Sequence, residues 1–191
     1  MATHPSARPA AHSTGSSLAG GWSTKRIATC ALFVALALVA SFVELPIFPL
    51  APYMKYDPSG VVCLVAGLAF GAGTGALVSV LSWLPHLFMD PFGGLMGIAC
   101  NVALVVPTAL VYEKVRSRKG SATGMVIGAV VTLVVAIVGN LLVTPLYSGV
   151  TVEQVIAMIV PILIPFNLLK IVLNCVVTQL VYKPVSTLVG E

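Results

Sequence analysis

Thr123-Gly-Met-Val-Ile-Gly-Ala-Val-Val-Thr-Leu-Val-Val-Ala-Ile-Val-Gly-Asn-Leu-Leu-Val-Thr-Pro-Leu146 runs for 24 residues without a charged side chain. As an α-helix it is about 36 Å long, enough to cross the ~30 Å hydrocarbon layer of a bilayer. A helix on the surface of a soluble domain would carry a broad polar face. Here the polar side chains are Thr123, Thr132, Asn140 and Thr144 alone. The rest of the chain matches. Of 191 residues, 58% are hydrophobic and 8% charged, and the mean hydropathy is +1.04. An ordinary soluble domain is ~25% charged. These values exclude a disordered chain, a soluble enzyme of average make-up and a nucleic-acid binder working through a basic surface.

Working outward from this fifth span, apolar stretches recur on both sides. The first span covers residues 27–45, and residues 46–58 follow with four prolines in 13 positions, a density that forbids a regular helix. Residues 59–70 form a short second span that must pack inside the bundle. Residues 71–75 make a glycine-rich turn into a third span ending near Met89, and residues 90–94 read as a loop. The fourth span covers 95–112, and the one dense charge cluster follows at 113–120. After a loop at 147–153, a stretch interrupted by Pro161 and Pro165 is either a short helix or a kinked entry leading into a sixth span, 166–182. The expectation is an all-α membrane protein, a six-transmembrane-helix bundle filling residues 25–191. Residues 1–24, rich in Ser, Ala, Gly, Thr and Pro, are expected to be a disordered cytoplasmic tail whose His4 and His12 have no site role.

Charge sets the expected orientation. With six spans, Arg8, Lys25, Arg26, Lys114, Arg116, Arg118, Lys119 and Lys183 fall on one side, eight of the ten basic residues. Glu44, Asp57, Asp90 and Glu153 fall on the other, four of the six acids. Basic loops stay in the cytoplasm, so both termini are expected to be cytoplasmic in a multi-pass membrane protein. The cysteines Cys30, Cys63, Cys100 and Cys175 lie in apolar runs with no CxxC spacing, which favours packing over metal binding or a disulfide.

Two basic residues escape the cytoplasmic side, Lys55 and Lys170. A lysine at the centre of a spanning helix costs ~2.5–3.5 kcal/mol, so intramembrane charges generally face a cavity or a partner. Asn167 and Lys170 are three apart and share a helix face. Lys170 either snorkels to the outer headgroups or lines an outward-opening pocket. Asn101 and Asn140 fall at similar depth on two other spans. Each is either interhelical glue or part of the same pocket. Asn174 and Gln179, farther along, are read as holding helices together, and His86 as structural. Aromatic residues cluster at the outer loops, enough for an interfacial belt and for stacking on a flat ligand.

On the first span, Ala28, Ala31 and Ala35 share a face, with Ala31-Leu-Phe-Val-Ala35 forming an AxxxA pair. Either this is chance in an alanine-rich helix, or it is a docking face for a partner membrane protein. There is no GxxxxGK[ST] phosphate loop, no HExxH, no GxSxG and no pair of intramembrane carboxylates. No catalytic or metal-binding residues are therefore assigned.

Three stretches resemble a known family. Pro52-Tyr-Met-Lys-Tyr-Asp-Pro-Ser59, Asn140-Leu-Leu-Val-Thr-Pro-Leu-Tyr147 and, most specifically, Ile164-Pro-Phe-Asn-Leu-Leu-Lys170 are similar to segments of the substrate-binding S components of energy-coupling factor (ECF) vitamin transporters. The riboflavin-specific members are the nearest. The resemblance implies that Asn140, Asn167 and Lys170 contact a flavin, with Met54 and Lys55 in the covering loop. Asn101 joins them as a polar residue at the same depth. Riboflavin would then be a transported ligand and not a cofactor. The implied partners are an ECF transmembrane coupling protein on the Ala28, Ala31 and Ala35 face and two cytoplasmic ATPase subunits, with membrane lipids around the bundle and no nucleic acid. Pro58 stands where an aromatic is common in those relatives, and Gly60 where a second acid is. Another vitamin, an integral membrane enzyme and a scaffold stay open as alternatives.

Overall fold

The computed structural model describes residues 23–51 and 54–189, with side chains described through residue 182. The tail expected at residues 1–24 lies almost wholly outside the described residues, as do Tyr53 and the side chain of Lys183. Eight α-helices make up the described chain: α1 (Thr24–Ser41), α2 (Ser59–Phe70), α3 (Ala72–Trp83), α4 (His86–Met89), α5 (Pro91–Lys114), α6 (Arg118–Ser148), α7 (Val152–Met158) and α8 (Ile164–Val189). A π-helical turn, Ile159–Leu163, joins the last two. Five stretches are long and apolar enough to cross a membrane: α1, α3 with α4, α5, α6, and α7 through α8. With the shorter α2 they give the six-membered helical bundle expected.

α2 is the centre. Ten of its 12 residues are buried, and it packs against α1, α3, α5 and α8. Cys63, Leu64, Val65 and Ala66 of α2 meet Cys30, Phe33, Val78, Val105 and Ile171 of those neighbours in one core cluster. The outer faces carry Leu36, Val39, Val130, Val134, Val172 and Leu180, all exposed. Such continuous apolar exposure is untenable in water and natural in lipid.

Several boundaries differ from the expectation, each for a local reason. α1 ends at Ser41, not near residue 45. Pro46 biases Leu45 toward extended backbone, and Leu45 exchanges N–H···O bonds of 2.7 and 2.8 Å with Tyr56, tying the proline-rich loop into a closed strap. The turn expected over 71–75 shrinks to Gly71, whose φ of +91° needs glycine. α3 starts at once, its Ala72 N–H held by the Glu113 carboxylate at 2.8 Å. The expected 90–94 loop is instead the start of α5. Asp90 is its N-cap, accepting from the Gly93 N–H at 2.9 Å, and Pro91 takes the first helical position. Pro161 sits in the π-helical turn, where its missing N–H removes a ladder bond.

Close helix approach depends on glycine. A Cβ placed on Gly75 of α3 would lie 2.6 Å from Gly67 Cα and 3.1 Å from Gly67 N in α2. Backbone cannot swing aside, so Gly75→Leu is expected to cost about 1–3 kcal/mol by overpacking. That corresponds to a loss of thermal midpoint on the order of 5 °C. Gly73→Leu, where a Cβ would meet nothing within 4 Å, is the control and should be near neutral. Thermal unfolding of both variants in detergent checks the difference.

Candidate ligand-binding cavity

A cavity of about 570 Å³ opens at one end of the bundle, between the end of α1, the 42–58 loop, α3 to α5, the second half of α6 and the first half of α8. Its volume falls in the ~300–1,000 Å³ range of small-molecule sites. All six sequence-derived candidates line it: Met54, Lys55, Asn101, Asn140, Asn167 and Lys170. The alanine face is elsewhere. Ala28, Ala31 and Ala35 are exposed on the outside of α1.

Lys170 faces inward. Its ammonium pairs with Asp57 Oδ2 at 2.7 Å, with side-chain exposures of 22% and 5%, and sits 6.0 Å from the centre of the Trp83 ring. The bridge ties α8 to the end of the proline-rich loop. Asp57 Oδ1 in turn accepts from the Ser59 N–H at 3.2 Å and from the Ser59 hydroxyl. Ser59 Oγ accepts from Trp83 Nε1 at 3.0 Å and from Asn101 Nδ2 at 3.5 Å. One connected polar network therefore joins the loop, α2, α3, α5 and α8. Burying an ion pair is tolerable only when its remaining lone pairs are satisfied in this way.

Asn167 donates from Nδ2 to the Leu163 carbonyl at 2.8 Å. That carbonyl belongs to the π-helical turn, so the irregular entry is stitched to the cavity wall. Asn140 donates to the Ala136 carbonyl at 2.8 Å and accepts from Thr144 at 3.1 Å within α6, which fixes its amide plane. Lys55 lies at the rim, paired with Glu44 and about half exposed.

Asp57, His86 and Asn174 line the cavity but were not read as site residues, and Trp83 was read only as one of the outer-loop aromatics able to stack on a flat ligand. Asp57 is 113 positions from its partner Lys170, a separation no local pattern spans. Trp83 is buried against Gly97, where a Cβ would stand 2.2 Å from the indole. His86, read as structural, does stack on Phe42 and Trp83 with ring centres 4.4 and 4.5 Å away, and it also lines the cavity. Asn174 was expected to join helices. It lines the cavity instead and accepts from the loop residue Tyr56 at 3.1 Å. Burial, and then the Asp57 charge, push the Tyr56 phenol above its ordinary pKa. The signal for Asn174 was present: Asn167, Lys170 and Asn174 follow i, i+3, i+7 spacing on one face. Gly60 makes room for it, since a Cβ there would lie 2.3 Å from Asn174 Nδ2. Gln179 does hold helices, donating to Ser121 of α6 at 2.9 Å.

The wall thus offers amides that both donate and accept, the ammonium groups of Lys55 and Lys170 that only donate, the carboxylates of Glu44, Asp57 and Asp90, and aromatic surfaces from Trp83, Phe92, Tyr147 and Phe166. A bundle of membrane-spanning helices with such a polar-aromatic cavity has the architecture of a membrane receptor for a small polar molecule.

The comparisons with known proteins agree. The family described as ECF transporter, substrate-specific component, matches residues 25–182. The chain belongs to this family. It is 31% identical over 168 residues to the riboflavin transporter RibU of Staphylococcus aureus (strain TCH60), covering 83% of this chain and 89% of that one. It is 25% identical over 171 residues to the riboflavin transporter FmnP of Bacillus subtilis (strain 168), with 83% and 90% covered. A solved S component of a bacterial ECF transporter superposes with a TM-score of 0.75 at 28% identity, covering 87% of this chain and 98% of that structure.

Proposed function

We propose that this chain is the riboflavin-binding S component of an ATP-driven ECF importer in the bacterial cell membrane, and that the 570 Å³ cavity is its ligand site. The observation that carries this reading is the inward-facing stripe of α8. Asn167, Lys170 and Asn174 meet Asn101, Asn140 and Asp57 around one space with an aromatic wall. A flavin presents ring carbonyls and an imide N–H at one edge, a flat apolar surface, and a hydroxylated tail. Lys170 donates to the carbonyl edge, while Asn167 and Asn140 match donors and acceptors. Trp83 and its aromatic neighbours cover the ring. Met54 and Lys55 close over the mouth as part of the loop. Burial of the ring supplies most of the affinity and the polar groups set its orientation.

The charge distribution supports an orientation with both termini cytoplasmic and the cavity open to the exterior. Residues 1–24 then form a cytoplasmic tail. The chain carries no ATP-hydrolysing motif, so transport energy comes from a transmembrane coupling protein docked on Ala28, Ala31 and Ala35 and from two ATPase subunits bound to it. Its own role is capture, with no reaction catalysed.

Titration of the purified full-length chain with riboflavin, read by quenching of flavin fluorescence, tests the ligand. Saturable binding at one site per chain, with thiamine and biotin failing to compete, is the expected result. An absence of quenching, or displacement by an unrelated vitamin, contradicts the assignment.

A further inference from the structure

Two deeply buried amides of the cavity wall are only half committed. Asn174 is 2% exposed and Asn101 6%. Asn174 uses its Oδ1 to accept from the Tyr56 hydroxyl at 3.1 Å. Asn101 uses its Nδ2 to donate to Ser59 Oγ at 3.5 Å. Among the described residues, the other half of each amide has no partner: Asn174 Nδ2, a donor, and Asn101 Oδ1, an acceptor. Neither atom is sealed off in the way that the unpartnered His86 Nδ1 and Thr178 Oγ1 are. Both residues line the 570 Å³ cavity, so the two free atoms open into it. Polar atoms this deep in a protein cost free energy unless a bound group or water takes them.

The two atoms also converge. A Cβ placed on Gly60, at the start of α2, would lie 2.3 Å from Asn174 Nδ2 and 3.1 Å from Asn101 Oδ1. Glycine at this position therefore brings the pair together, close enough for one atom to bond to both. Asn174 follows Lys170 by one helical turn, about 6 Å farther along α8. The cavity thus has two polar levels, the Lys170–Asp57 ion pair and, below it, a neutral donor beside a neutral acceptor. A hydroxyl matches that second level, because it donates and accepts through a single oxygen. A carboxylate or phosphate would set a second acceptor against Asn101 Oδ1, and an ammonium would set a second donor against Asn174 Nδ2.

We propose that Asn101 and Asn174 form a hydroxyl-binding subsite that reads the hydroxylated tail of the ligand, the hydroxyl donating to Asn101 Oδ1 and accepting from Asn174 Nδ2. The subsite rests on the riboflavin reading and adds a second point of recognition to it. The tail leaves the flavin ring beside its carbonyl edge. With that edge at Lys170, a tail hydroxyl falls within a helical turn of the ammonium, where the two amides stand. A site built to bond a hydroxyl rejects an analogue that lacks it, since its own groups are then left unpaired.

Titration of the purified full-length chain with riboflavin and with lumiflavin, the same ring carrying a methyl group in place of the tail, tests the subsite. Fluorescence quenching gives a Kd for each. The wild type is expected to favour riboflavin at least about tenfold. N101A/N174A should lose most of that preference by weakening riboflavin while binding lumiflavin as the wild type does. Tyr56→Phe removes only the loop's hydrogen bond to Asn174 and should keep the wild-type ratio. Should the double variant bind neither flavin, Gly60→Ala, whose methyl takes the space beside both atoms, must lower the ratio by itself. Equal wild-type affinity for the two flavins overturns the subsite and leaves the riboflavin reading in place. So does an unchanged ratio in N101A/N174A or in G60A, a ratio lost in Y56F, or a double variant that weakens lumiflavin as much as riboflavin. A wild type that binds neither flavin removes the riboflavin reading and the subsite with it.

Discussion

N167A/K170A is expected to bind riboflavin about 100-fold more weakly than the wild type, a loss of roughly 3 kcal/mol. A hydrogen bond from a charged donor contributes ~1.5–3 kcal/mol and a neutral one ~0.5–1.5 kcal/mol, so the pair accounts for the figure. Removing Lys170 also strands Asp57, 5% exposed, without its cation, and breaking one side of a buried pair is costly in itself. Two single variants separate these effects. Asn167→Ala leaves the Lys170–Asp57 pair intact and should still cost about tenfold. Asp57→Asn keeps the shape and the Ser59 hydrogen bond while removing the charge. Flavin-fluorescence titration of each variant, with thermal unfolding as the check on folding, supplies the measurement. Undiminished affinity in folded N167A/K170A contradicts the site.

Ala31→Trp or Ala35→Trp is expected to cut cellular riboflavin uptake at least about tenfold while leaving the isolated chain's affinity unchanged. Small residues four apart permit close helix approach in lipid, and both alanines are exposed on the outer face of α1. A tryptophan there points away from the bundle core, which α1 contacts through Cys30, Phe33 and Ala37. Its effect is therefore expected on contacts with a partner and not on the fold. Uptake of radiolabelled riboflavin at matched expression reads the loss. Uptake equal to wild type would remove the docking role from this face.

How much of this was legible in the sequence follows from which interactions are local. The spans were legible because length and hydropathy are set residue by residue. Inward placement of Lys170 was legible as one of two outcomes, since an intramembrane lysine needs a polar surround. Which partner it finds was not, because Asp57 lies in a proline-rich loop whose path depends on the Leu45–Tyr56 pairing. The same loop delivers Tyr56 to Asn174, so an amide expected to join helices faces the cavity instead. Helix boundaries at Ser41 and Pro91 were missed where capping and proline geometry outweighed hydropathy. Asp90 followed by proline is a helix start signal, and it was there to be read. The role of Trp83 needed the tertiary structure, because only the approach of α5 at Gly97 defines the face it presents.

A riboflavin-bound structure of the full-length chain tests the central claim most directly. The flavin ring should lie in the cavity between Trp83 and the α8 stripe, with Lys170 Nζ and an Asn167 amide atom within hydrogen-bond distance of its polar edge. Flavin bound elsewhere on the chain, or a Lys170 ammonium turned out to the headgroups with the cavity empty, would contradict it.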